Sequence, residues 1–144
     1  MRIYIAARYD RRFEMLRVCG VLMRAGHDVT SRWIAGRGDA PDRMAAIEDL
    51  DDLARANCLV SFTEPPERGV AWAARGGRHV EFGVALATNK RLCVVGPREN
   101  VFHHLPRVET YPTIEDLVAG LARPAATAVT TALPCDRDEI AFSQ

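Results

Sequence analysis

The chain has 144 residues, 48% hydrophobic, 26% charged and 7% aromatic, a profile that fits one globular domain and excludes disordered, collagenous and low-complexity classes. Its 19 basic residues balance 19 acidic ones for a formal net charge of zero, so it lacks the cationic surplus with which nucleic-acid-binding proteins displace counterions. The longest apolar stretches, such as Phe82 to Ala87, fall far short of the roughly 20 residues that span a bilayer, which excludes a membrane helix.

The chain opens on Ile3-Tyr4-Ile5-Ala6-Ala7, a short apolar run that reads as a buried strand. It passes at once into Arg8, Asp10, Arg11 and Arg12, leaving no room for a secretory apolar region. The expected compartment is the cytoplasm. Arg11 to Ala25 carries Phe13, Leu16, Val18, Val21, Leu22 and Met23 at mostly helical spacing, with Gly26 as its stop. His27 to Trp33 reads as a shorter strand, and Ile34 to Pro41, with Gly36, Gly38 and Pro41, as a loop. Asp42 to Ala56 is a second helix and Cys58 to Phe62 a buried strand. An Arg- and Gly-rich loop follows, through Gly76-Gly77. His79 to Thr88 is a third helix and Arg91 to Gly96 a further strand. Val108 to Tyr111 forms a last strand before a helix over Thr113 to Leu121.

Strands alternating with helices through short connections predict a single-domain α/β fold, Rossmann-like or flavodoxin-like, with a mostly parallel sheet flanked by helices. Most of the strands are apolar throughout, as a sheet covered on both faces requires. In such sheets ligands bind at the carboxyl ends of the strands, which points to the loops Ala6 to Arg12, Thr63 to Arg78 and Gly96 to His104. Residues 1–122 hold these elements. Residues 123–144 have no clear period and read as a tail, either disordered or docked on the domain or a partner subunit. Cys19, Cys58, Cys93 and Cys135 form no C-x-x-C pair and have no histidine at finger spacing. They read as reduced, largely structural thiols, and no metal or cofactor is expected. His103-His104 reads as surface.

The third helix is apolar on nearly every face except at Glu81, and a carboxylate withdrawn from water needs a partner or a proton. Glu81 follows Gly76-Gly77 in the first turn, where the helix dipole favours an anion. It is either a helix-start carboxylate at the rim or a catalytic carboxylate in a strand-end pocket, and the second reading is preferred. Gly83 implies close approach by a strand or a ligand. On the second helix, Ala46, Ile47, Leu50, Leu53 and Ala54 form an inward stripe, which turns Glu48 and Asp52 to solvent. Asp49 and Asp51 flank the stripe, and periodicity does not choose between them as a pocket-edge acid.

The order of these pieces resembles the nucleoside 2-deoxyribosyltransferase superfamily, which includes nucleoside 5′-monophosphate N-glycosidases. The pieces are Asp49-Leu50 on a helix, Ala56-Asn57-Cys58-Leu59-Val60 entering a strand, Gly76-Gly77-Arg78-His79-Val80-Glu81-Phe82-Gly83 opening a helix, and Asn89-Lys90-Arg91 leading into the next strand. The resemblance runs from Ile3 to about Leu121. It implies a flavodoxin-like sheet and a homodimer or higher oligomer. It makes Glu81 the nucleophile that forms a glycosyl ester, Asp49 the acid that assists departure of the base, and Tyr9 a residue that orients nucleophile and sugar. The loop Thr63 to Arg78 looks longer than in many relatives.

Cleavage of an N-glycosidic bond passes through an oxocarbenium-like state that a carboxylate stabilises and can trap, and the base leaves more easily when protonated. Ala7 and Arg8 in the first loop, Trp72 as a stacking ring, and Gly76, Gly77, Arg78 and His79 are the candidate substrate contacts. The glycine N–H groups and the arginines, Arg75 among them, suit a 5′-phosphate. The expectation is cleavage of a nucleoside 5′-monophosphate or (deoxy)nucleoside, with water or another base as acceptor. The alternative is a non-catalytic nucleotide-binding module of the same fold.

Overall fold

The computed structural model describes residues 1–36, 38, 41–65 and 76–123. Trp72, Arg75, most of the loop expected to cover the pocket, Cys135 and the tail after residue 123 lie outside the described residues. Five parallel strands form one sheet in the order β2-β1-β3-β4-β5. They are β1 (Arg2–Ala6), β2 (Asp28–Val29), β3 (Cys58–Phe62), β4 (Arg91–Val95) and β5 (Val108–Tyr111). The helices are α1 (Arg12–Arg24), α2 (Asp42–Arg55), α3 (Gly76–Ala87) and α4 (Ile114–Leu121). The α/β reading of the sequence holds.

Every residue of β3 is buried, β1 exposes only its first residue, and β4 leaves only Arg91 half-buried. Such apolar runs are stable only under helices on both sheet faces. Ile3, Ile5, Leu59, Val60, Leu92 and Val94 form the centre of the core. Strand order reverses between β2 and β3, and right-handed crossovers then send α1 and α2 to opposite faces. The reversal leaves a crevice above the carboxyl ends of β1 and β3. Gly26 closes α1 at φ +83°, a left-handed conformation that suits glycine at a helix end.

Three sequence expectations are corrected. The second strand is only Asp28–Val29, because the side chains beyond it take over the edge of β1. Ser31 Oγ accepts from the Ile5 N–H at 2.7 Å, and the Trp33 indole N–H donates to the Ile5 carbonyl at 2.9 Å. The chain then coils as a 3₁₀ turn over Arg32–Ala35.

The inward face of α2 is rotated from the expected stripe. Ala45, Asp52 and Leu53 are buried, while Ile47 and Leu50 are exposed. Asp52 turns inward because it is fully paired: it accepts from the Arg32 backbone N–H at 2.7 Å and Arg32 Nε at 2.8 Å, and from the Arg55 guanidinium. The third correction concerns α3, which is not enclosed. Val80 is exposed, and a Cβ at Gly83 would meet no protein atom within 4 Å, so no neighbouring strand closes on that glycine.

Candidate active site

A cavity of about 300 Å³ opens in the crevice. The loop after β1 lends it Ala7, Arg8 and Tyr9, α2 lends Asp42, Ala46 and Asp49, and α3 lends Gly77, Arg78 and Glu81. Helix starts gather at this end of a parallel sheet, so the free N–H groups of the first turn of α3 face the same space as its carboxylate.

Glu81 is half-buried on the cavity wall. The Tyr4 hydroxyl donates to its Oε1 at 2.7 Å. Tyr4 is wholly buried on β1, and burial pushes its phenol far above the ordinary tyrosine range. The negative charge of Glu81 and the hydrogen bond to it push the same way, with smaller contributions from Asp49 and Asp52. The phenol therefore stays protonated and holds one carboxylate oxygen in place, while the cavity lies open to the carboxylate. Sequence reasoning passed over Tyr4 as a core residue. The available signal was the phenol itself, since a buried tyrosine hydroxyl usually finds a partner.

Asp49 is half-buried and lines the cavity, whereas Asp51 is exposed and does not. Tyr9 stands in a 3₁₀ turn over Tyr9–Arg11, half exposed at the cavity edge, its ring centroid 6.3 Å from that of Trp33. Arg8 reaches the cavity but is also paired with Asp10. Arg78 is buried beneath the cavity. Its guanidinium donates to the Phe62 carbonyl at 2.8 Å and to both Glu99 oxygens at 2.9 and 2.8 Å. Glu64 lies 3.6 Å away and carries its own bond from Arg11 at 2.9 Å. Arg78 thus acts first as the centre of a buried ion-pair network, which ties the start of α3 to the ends of β3 and β4.

His79 is not brought to the cavity. Two residues from Glu81 on a helix means a turn of about 200°, so the two side chains leave opposite flanks of α3. His79 instead faces a second, apolar cavity of about 270 Å³ with Phe82, Leu86, Asn100 and Phe102. Its Nδ1 lies 3.2 Å from Asn100 Nδ2.

The surface reading of His103 is also corrected. It is fully buried in a 3₁₀ turn over Val101–His104, 4.7 Å ring to ring from Phe82, with Glu99 N–H donating to Nδ1 at 3.2 Å. Burial lowers its pKa to about 4. Among the described residues no group of three or more His, Cys, Asp and Glu side chains is placed to hold a metal.

No family profile and no curated protein sequence matches the chain. Solved structures do. One is the CMP N-glycosidase BcmB of Clostridium botulinum, at a TM-score of 0.52 and 21% identity over 85% of this chain and 98% of that one. The chain shares the fold of a CMP N-glycosidase. A second is BlsM, at a TM-score of 0.60 and 18% identity over 88% of this chain and 96% of that one. Both likenesses show the fold that the resemblance read from the sequence implies.

Proposed function

We propose that the protein is an N-glycosidase that cleaves the bond between base and sugar in a nucleoside 5′-monophosphate or (deoxy)nucleoside. The observation that carries this reading is the pair of acids facing one cavity, Glu81 held by Tyr4 and Asp49 opposite on α2. The fold shared with a CMP N-glycosidase supports it. A Glu81 oxygen attacks the anomeric carbon as the carbon–nitrogen bond breaks, and the bond's electron pair leaves on the base. Asp49 gives its proton to the departing base. Water, or a second base, then displaces Glu81 from the anomeric carbon and returns a proton to Asp49. Tyr9 closes the sugar side, and the Gly76–Gly77 helix start takes the 5′-phosphate with Arg8 beside it.

The substrate is a small molecule, so neither nucleic acid nor membrane is required. No helix among the described residues is long and apolar enough to cross a membrane. The cytoplasm suits a protein whose Cys19, Cys58 and Cys93 are free thiols. The working form is a homodimer. The exposed apolar side chains Met44, Ile47 and Leu50 of α2 and Val80 of α3 supply the face for it.

The test is chromatographic detection of free base from a panel of nucleosides and 5′-monophosphates, with and without a second base. Wild-type protein is expected to release base and Glu81→Ala to lose at least a thousandfold in rate, the scale of a missing nucleophile. Full activity in Glu81→Ala would remove the assignment. Nucleotide binding with no base release from any substrate would turn the reading to a binding module.

A further inference from the structure

The wall that α2 contributes to the cavity holds a carboxylate to which the nucleophile and the acid give no role. Asp42, Ala46 and Asp49 line the cavity together. Their spacing of four and then three residues puts them on one helix face. Asp42 is the first residue of α2, and a first-turn acid is favoured there by the helix dipole alone. The dipole does not account for its facing the cavity, which Glu48 and Asp51 of the same helix do not line. The Asp42 side chain is exposed, and among the described residues it makes no hydrogen bond or ion pair. Among the described residues, the cations on the cavity wall are Arg8 and Arg78, paired with Asp10 and Glu99.

Seven residues of helical rise separate Asp42 from Asp49 by about 10 Å along the axis. The two carboxylates therefore do not meet the same atoms of a small ligand. Ala46, with its small side chain, lies between them. Resting on the glycosidase reading, the ligand's anomeric carbon lies at Glu81, its leaving nitrogen near Asp49 and its 5′ end at the start of α3. The base then extends along α2, its far edge toward Asp42.

We infer that Asp42 reads that edge and selects bases bearing an exocyclic amino group over those bearing a carbonyl there. An ionised carboxylate only accepts hydrogen bonds. Cytosine offers an N–H₂ donor at the position where its keto counterpart offers an acceptor oxygen. The amino base gains a charge-assisted hydrogen bond, while the keto base sets lone pair against lone pair. Asparagine at this position offers both a donor and an acceptor and has no such preference.

The test compares cytidine with uridine 5′-monophosphate, and adenosine with inosine 5′-monophosphate, on wild type, Asp42→Asn and Asp42→Ala. Two readouts are taken: kcat/KM for base release, and equilibrium binding of the same nucleotides to the Glu81→Ala protein with and without Asp42→Asn. Wild type is expected to favour the amino member of at least one pair by about tenfold or more, the scale of one good base contact. Asp42→Asn is expected to bring the ratio near one in both readouts. A keto preference in wild type, or a ratio that survives Asp42→Asn, overturns the inference. Should base release be absent while amino-over-keto binding is present and lost in Asp42→Asn, the glycosidase reading falls and Asp42 keeps its role. Equal binding of both members to the Glu81→Ala protein, with and without Asp42→Asn, removes Asp42 whatever the turnover.

Discussion

Tyr4 and His103 show how a single buried polar atom organises its surroundings. The Tyr4 hydroxyl lies against the Glu81 carboxylate, the nucleophile of the proposed reaction, and fixes one of its oxygens. Tyr4→Phe removes that hydrogen bond and keeps the ring in the core. A hydrogen bond to a charged group is worth about 1.5–3 kcal/mol, so kcat should fall roughly tenfold to a hundredfold. Little change is expected in KM or melting temperature. Steady-state kinetics beside thermal unfolding check this, and a loss confined to KM would assign Tyr4 to binding instead.

His103 carries a pH effect of definite sign. Its pKa is lowered to about 4 from the ordinary value of 6.5, chiefly by burial and further by His79, Arg78 and His104, while Glu99 opposes the shift. Between those values the unfolded chain binds a proton that the folded one does not, so stability rises with pH there. The contribution is complete above pH 6.5 and is lost as pH falls toward 4. It amounts to about 3 kcal/mol over the full interval. Urea unfolding at several pH values should show the wild type losing more stability than His103→Gln between pH 6.5 and 4.5. Equal slopes would show that His103 does not carry the effect.

At the scale of elements, α2 sets the shape of the site. Its two acidic flanks do opposite jobs, since Asp42 and Asp49 face the cavity while Asp52 anchors the helix to the turn after β2. Asp52 is fully buried between arginines that are themselves half exposed. Asp52→Ala frees those arginines into water but leaves the Arg32 backbone N–H without its acceptor. The cost should be about 1–3 kcal/mol in chemical denaturation, with a further loss of activity as Asp49 shifts with its helix. A cost near zero would mean that the helix is held by its apolar contacts alone.

In α2 the sequence was read correctly for element and limits and wrongly for rotation. Hydropathy placed Ile47 and Leu50 inward because it cannot tell a core from an exposed apolar face. It placed Asp52 outward because a lone carboxylate does not reveal that Arg32, 20 residues back, will meet it. The helix of Glu81 shows the same limit. Its extent and the prominence of its carboxylate were legible. That His79 would leave by the other flank was implicit in helical geometry, yet motif order drew both residues into one site.

For the molecule as a whole, strand order decides where chemistry can occur. The reversal between β2 and β3 leaves the crevice, and the loop after β1 meets the starts of α2 and α3 around it. Apolar side chains exposed on α2 and α3 are the remaining large-scale feature. The protein is expected to sediment as a dimer, and Leu50→Glu is expected to shift it toward monomer, since a charge in a homodimer contact is strongly unfavourable. Sedimentation velocity over a tenfold concentration range measures this. A wild type that stays monomeric would leave that face without its assigned occupant.

The sequence by itself determined the class of fold, the limits of β3 and β5, the glycine stop of α1, and the candidacy of Glu81, while it left Asp49 level with Asp51 until the resemblance chose between them. These are properties of nearest neighbours: the period of apolar residues, a φ available to glycine, a charge in an apolar helix. Tertiary structure alone decided that Tyr4 would grip Glu81 from 77 residues away, that Arg78 would be held by Glu99, and that the helix face of Asp42 and Asp49 would line the cavity. Each depends on how a helix is rotated about its axis and which strand lies beneath it. The balance of packing and pairing across the whole chain fixes that rotation, and no local period contains it.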